Sequence, residues 1–125
     1  MKYVVISKLS PGKDGQELGA KLNPKAFSEI DKATKSGKLL QQADIEKLGV
    51  ESNLAKLIAD HINHLDRLTK DGSLVSGGPC EGFKDAINIF EATSEQEARS
   101  LHNADPFAKH GYLVVDKIYA WQQVF

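Results

Sequence analysis

Cysteine is all but absent from this chain. Cys80 stands alone among 125 residues, so no intrachain disulfide can form and no C-x-x-C zinc ligand pair exists. A lone thiol fits a reducing compartment. Net charge of one sign is also lacking: 16 basic residues meet 17 acidic ones, for a formal charge of −1. That balance, with no run of either sign, gives no electrostatic reason to expect nucleic acid or an anionic membrane as partner. Long apolar runs are missing too. The stretch Tyr3-Val4-Val5-Ile6 is too short for a secretory signal core and far too short to cross a bilayer. A cytoplasmic, soluble protein of one domain, spanning residues 1–125, is the expectation.

The β-branched and aromatic Tyr3 to Ile6 predict a first strand ending near Ser7. Pro11, Gly12, Gly15 and Gly19 make the following residues, to about 22, a loop. Asn23-Pro24 reads as a helix start, with Asn as cap and Pro at the first helical position; Phe27 and Ile30 then recur at helical spacing until Gly37. Asp44 caps a shorter turn carrying Ile45 and Leu48, closed by Gly49.

Ser52 opens the clearest helix. Leu54, Leu57, Ile58, Ile62, Leu65 and Leu68 fall three and four apart, and Gly72 ends it. Ser73 to Ser76 predicts a short strand running into Gly77-Gly78-Pro79. Ala86 to Ala92 predicts another. Ser94 and Glu97 stand at capping-box spacing ahead of a second helix, Asp105-Pro106 opens a short turn, and Tyr112 to Val124 reads as the final strand. With residues 9–51 set aside as a helical insertion, the order is βαββαβ, a ferredoxin-like α+β arrangement. Ile30 to Leu40 echoes Leu65 to Val75, though two amphipathic helices each closed by Gly look alike without any duplication.

Among the histidines, His61 falls about 20° from Leu54 around the long helix and so faces the sheet, while His64 falls about 80° away, at the rim of the apolar stripe. A buried His61 needs a hydrogen-bond partner. Either it is a core histidine satisfied by a backbone carbonyl, or it is a proton-transfer group. His102, late in the second helix, suits a cation complementing the helix dipole, and His110 lies in an exposed turn. Asp105 caps the turn opened by Pro106, and its carboxylate is also suited to hold the His61 imidazole in one tautomer. Cys80 lacks a neighbouring base. Gly77-Gly78-Pro79 lacks the Lys-Ser/Thr of a phosphate loop and suits a tight backbone approach at a pocket wall. His61 and His64 could share an ion, but no third ligand is announced, so neither metal nor cofactor is expected.

These residues, taken together, resemble the YCII-related family. The likeness runs from His61-Ile62-Asn63-His64-Leu65 through Leu68, Gly72 and Gly78-Pro79, then Ile87, Phe90-Glu91-Ala92 and Glu97-Ala98, to Asp105-Pro106-Phe107, Gly111 and Trp121. The resemblance implies a dimeric α/β barrel, in which two ferredoxin-like sheets pair as a homodimer or a higher even oligomer. It implies a pocket between sheet and helices with a catalytic His61–Asp105 dyad, and Gly78, Pro79 and Phe107 at the substrate. The function expected from it is a small cofactor-independent enzyme carrying out proton transfer or elimination, as a lyase or isomerase, on a small cyclic or aromatic molecule. A non-catalytic dimeric module binding a small-molecule ligand is the alternative.

Overall fold

The structure is a computed structural model that describes residues 1–10, 24–37, 41–80 and 84–125. The loop expected from residue 11 onward, the Asn23 cap and the Leu39-Leu40 end of the internal echo lie outside the described residues.

The described residues form, in order, β1 (Lys2–Leu9), α1 (Pro24–Lys35), α2 (Gln42–Glu46), α3 (Ser52–Lys70), β2 (Leu74–Pro79), β3 (Asp85–Glu91), α4 (Glu95–Asn103), α5 (Pro106–Lys109) and β4 (Leu113–Trp121). The four strands form one sheet in the order β2-β3-β1-β4, antiparallel at every junction. This is the ferredoxin-like α+β order, with α1 and α2 inserted after β1.

Local chemistry sets the element ends. Gly72 has φ +86° and Gly111 φ +78°, a conformation that costs other residues, so α3 and α5 stop where the sequence predicts. The α4 cap differs in one detail from a full capping box. Ser94 accepts the Glu97 backbone N–H at 3.1 Å, but the Glu97 carboxylate takes the Thr93 hydroxyl instead of turning back to Ser94. Asp44 is likewise displaced from its expected place. It sits inside α2, accepting the Gln41 N–H at 3.0 Å, because Gln41 is the residue with extended backbone at the helix entrance.

Strand β1 continues two residues beyond its expected end, to Leu9, and β2 runs on through Gly77 and Gly78 to Pro79. Pro79 is tolerated because β2 is the outer strand of the sheet, where a missing backbone donor costs least.

The sheet has two unlike faces, since directly opposed residues share a side. Tyr3, Val5, Ser7 and Leu9 point toward the helices with Ala86, Asn88 and Phe90 of β3 and with Leu113, Val115 and Ile118 of β4. The opposite face carries Val4, Ile6, Ile87, Ile89, Val114, Tyr119 and Trp121, with Lys117 opposite Ile6 and further charged side chains at the strand ends.

Two apolar clusters fill the helix side. One joins Ile30, Ile45, Val50, Leu54, Ile58 and Phe107, with Leu9 and Leu113 packed against it. The other joins Val5, Leu68, Leu74, Phe90 and Ala98. Ile45 of the insertion is fully buried, and a side chain so placed contributes about 1.5–3 kcal/mol. The described part of the insertion is therefore packed into the core through Ile30, Ile45 and Val50.

Candidate active site

Among the described residues, a set of polar side chains is buried on the helix side of the sheet. They are Ser7, His64, Asn88, His102 and Asp105, with the half-buried His61 beside them. Each is placed by a periodic element: His61 and His64 by α3, His102 by α4, Ser7 and Asn88 by the helix-facing register of the sheet, and Asp105 by the entrance of α5.

Asp105 stands immediately before Pro106, whose fixed backbone angle starts α5 and has no N–H to satisfy. Its carboxylate oxygen Oδ1 accepts the backbone N–H of Phe107 at 2.9 Å, capping the helix. The same oxygen lies 2.6 Å from Nδ1 of His61. Because Oδ1 is already an acceptor, Nδ1 of His61 must be the protonated nitrogen, which leaves the lone pair of a neutral ring on Nε2. The Phe107 ring stacks on the imidazole at 3.8 Å with an interplanar angle of 6°. The hydrogen bond and the stack together fix the ring in position and in plane.

Two further histidines flank Asp105. His64 is buried, not at the rim its helical phase predicts, because α5 packs against this flank of α3. Arg67 donates from Nη2 to His64 Nδ1 over 3.0 Å, so the His64 proton sits on Nε2. Burial lowers the His64 pKa, partly opposed by the Asp105 charge, with Arg67, His61 and Lys109 adding to the lowering. His102 departs further from expectation. It is almost wholly enclosed, and burial lowers its pKa against a hydrogen bond from its ring to Asn103 and the charge of Asp105. A buried neutral ring cannot serve as the helix-end cation its position suggested. Nε2 of both rings, and the Ser7 hydroxyl, are buried without a hydrogen-bond partner.

The structure thus brings His61, Asp105 and Phe107 into mutual contact. Gly78 and Pro79 are exposed at the end of β2, where they pair with Ile87 and Ala86 of β3. Their described contacts tie them to the sheet, whereas Gly77 is the glycine at a close approach: a Cβ there would lie 2.2 Å from Asn88 Oδ1. His110 is exposed, as expected from its turn. Among the described residues, no group of three or more His, Cys, Asp or Glu side chains is arranged to hold a metal ion. No helix among them is long and apolar enough to cross a membrane.

Sequence reasoning did not single out Ser7 or Asn88. Their signal was present: Ser7 continues the alternation of Tyr3 and Val5, and Asn88 that of Ala86 and Phe90, so both fall on the core face.

Comparison with known proteins bears on the fold and the family. The structure is similar to 5-chloro-2-hydroxyhydroquinone dehydrochlorinase (TftG) of Burkholderia phenoliruptrix, solved in complex with 2,5-dihydroxybenzoquinone. The TM-score is 0.53 and the identity 19%, over 98% of this chain and 94% of that one. No curated protein sequence matches the chain. The profile of the YCII-related domain matches residues 40–122, which span α2 to β4 and include both His61 and Asp105. With two thirds of its length under that profile, the chain belongs to the YCII-related domain family.

Proposed function

We propose that this protein is a small-molecule enzyme in which His61 transfers a proton and Asp105 holds it in register for that step. The observation that carries the reading is the 2.6 Å contact between His61 Nδ1 and Asp105 Oδ1. It commits one ring nitrogen to the protein and leaves Nε2 as the base.

In the forward step, Nε2 takes a proton from a hydroxyl or an activated carbon of the substrate, and the imidazolium formed is balanced by the Asp105 carboxylate. The electron pair left behind either expels a leaving group or shifts within the substrate. In the second case the same nitrogen returns the proton at a different atom. No redox partner is needed for either outcome. A ring substrate suits the apolar surroundings of His61, and the dehydrochlorinase of similar fold is named for a chlorinated hydroxyhydroquinone.

We further assign the open face of the sheet to a second copy of the chain. Val114 is 53% exposed, Tyr119 50% and Ile87 40%, on the side of the sheet away from the helices. A sheet with an apolar outer face gains from a two-fold partner that covers it.

Turnover is tested with a panel of halogenated and hydroxylated ring compounds, followed by halide release and ultraviolet absorbance. The wild-type protein is expected to convert at least one, and His61→Ala to lose about 10²–10⁴-fold in rate while remaining folded. Full activity in folded His61→Ala rejects the assignment. Binding of panel members with no conversion by the wild-type protein favours a ligand-binding module instead.

A further inference from the structure

The core of this domain is interrupted where an unbroken apolar layer would be the more stable arrangement. On the sheet side the interruption consists of Ser7 and Asn88, whose side chains share the helix-facing side. Ser7 is 0% exposed, and its hydroxyl has no hydrogen-bond partner. Asn88 is 6% exposed. Its amide oxygen lies over Gly77, in the space a Cβ at that position would fill. The missing side chain at Gly77 thereby leaves room for the amide oxygen.

Residue counts put Gly77, and Asn88 opposite it on β3, at the height of His61. Counted from the turn at Gly72, Gly77 lies five residues along β2 and His61 eleven residues back along α3. At about 3.3 Å per strand residue and about 1.5 Å per helix residue, both lie about 16 Å from that turn. The antiparallel packing of α3 on β2, with Leu68 and Leu74 in one cluster, keeps the two counts in step. Ser7 approaches the dyad from the other side. Leu9 and Leu113, paired across β1 and β4, pack against the cluster that contains Phe107, the ring stacked on His61. Ser7 is the next residue on that face of β1, about 7 Å along the strand.

We propose that Ser7 and Asn88 form an oxygen-binding subsite on the sheet side of the dyad, which orients a small oxygen-substituted ring toward His61. The hydroxyl and the amide each offer both a donor and an acceptor, so the pair matches a carbonyl or hydroxyl substituent and gives nothing to a purely hydrocarbon ring. Both are binding and positioning groups, not catalytic ones. The subsite deepens the proton-transfer reading and rests on it for the placement of the substrate.

The test is a titration of the isotope-labelled full chain with 2,5-dihydroxybenzoquinone, with catechol and, as an oxygen-free control, with p-xylene. It is read at the Asn88 side-chain amide and the Ser7 backbone amide. The oxygenated rings are expected to shift both signals and the control neither. Ser7→Ala and Asn88→Leu are each expected to weaken binding about ten-fold, the loss of one good hydrogen bond. Gly77→Ala is expected to weaken it similarly although it removes no polar atom, because it displaces the Asn88 amide. Failure of both oxygenated probes to move these signals overturns the proposal, as does wild-type affinity in folded Ser7→Ala and Gly77→Ala. Binding without conversion by the wild-type protein defeats the proton-transfer reading and leaves the subsite. Conversion unchanged in Ser7→Ala and Gly77→Ala defeats the subsite and leaves that reading.

Discussion

His61 and His64 sit three residues apart on one helix and carry their protons on opposite nitrogens. Nδ1 of His61 faces the Asp105 oxygen at 2.6 Å and must donate; Nδ1 of His64 faces the Arg67 guanidinium at 3.0 Å and must accept. The lone pair of a neutral His61 ring is then on Nε2, while that of His64 is taken by Arg67. The expected outcome at pH 8 is an Nδ1–H tautomer for His61 and an Nε2–H tautomer for His64, read from ring nitrogen shifts in two-dimensional NMR. The same tautomer at both positions would contradict the geometry.

Asp105 serves two partners through one oxygen, and its variants should separate them. Asp105→Ala removes the α5 cap and the His61 partner together, and is expected to cost about 2–4 kcal/mol of stability. Asp105→Asn keeps a neutral acceptor for the Phe107 N–H and should cost about 1 kcal/mol, the difference between a charged and a neutral acceptor. Urea unfolding of the two variants checks the order. Equal losses would show that the cap contributes nothing.

Burial lowers the pKa of His64 and of His102 from the ordinary imidazole value. The unfolded chain, with histidines near about 6.5, then binds more protons than the folded one as pH falls below that value. The stability these rings contribute is fully present above about pH 6.5 and is lost as pH falls toward their folded-state values. Hydrogen bonds from Gln42, Ser73 and the N-terminus lower the pKa values of Glu46, Asp71 and Glu91 respectively, and those contributions fade only in the carboxylate range. Urea midpoints should therefore decline between pH 7 and 5, and decline less in a His64→Gln, His102→Gln double variant. An identical slope in that variant would remove the two histidines from the account.

Much of this was legible in the residues. Leu54 to Leu68 announce α3, Gly72 its end, and Asp105-Pro106-Phe107 the cap that meets His61. What escaped depends on tertiary cover. The flank of α3 that holds His64 reads as a rim by helical phase, because one helix carries no record that α5 will lie against it. His102 was misread by applying a helix-end rule before asking which face of α4 is buried. It lies four residues after the wholly buried Ala98, on the same side. The strand through Gly77 to Pro79 was hidden by residues that disfavour strands in general but are permitted at an outer edge.

Gly77 and Asn88 make a pair whose coupling is measurable. A Cβ 2.2 Å from the amide oxygen forces a shift, so Gly77→Ala should destabilise by about 1–3 kcal/mol. Adding Asn88→Ala removes the obstacle, and the double variant should be less destabilised than the sum of the singles. Additive losses in thermal unfolding would mean that the clash is relieved elsewhere. Ser7→Ala runs the other way. It deletes a buried hydroxyl with no partner, and is expected to leave stability unchanged or raise it by about 1 kcal/mol.

On the second face of the sheet no helix lies among the described residues. Tyr119 opposes Val4 across β1 and β4, Ile6 opposes Ile87 across β1 and β3, and Trp121, at the end of β4, is 38% exposed. Lys2, Lys8, Asp85 and Glu91 share this face at the ends of the same strands, and Lys117, opposite Ile6, adds one charge among its apolar side chains. A two-fold partner would pack Tyr119 and Ile87 against their own copies and bury them. Tyr119→Glu would then place a carboxylate inside that contact, opposite Val4 and with Lys117 as its one basic neighbour along β4, and desolvation would favour dissociation. Sedimentation at micromolar concentration is expected to give a dimer for the wild-type chain and a monomer of unchanged circular dichroism for Tyr119→Glu. A wild-type monomer would leave this face without the partner assigned to it, and a variant dimer would move the interface off the sheet.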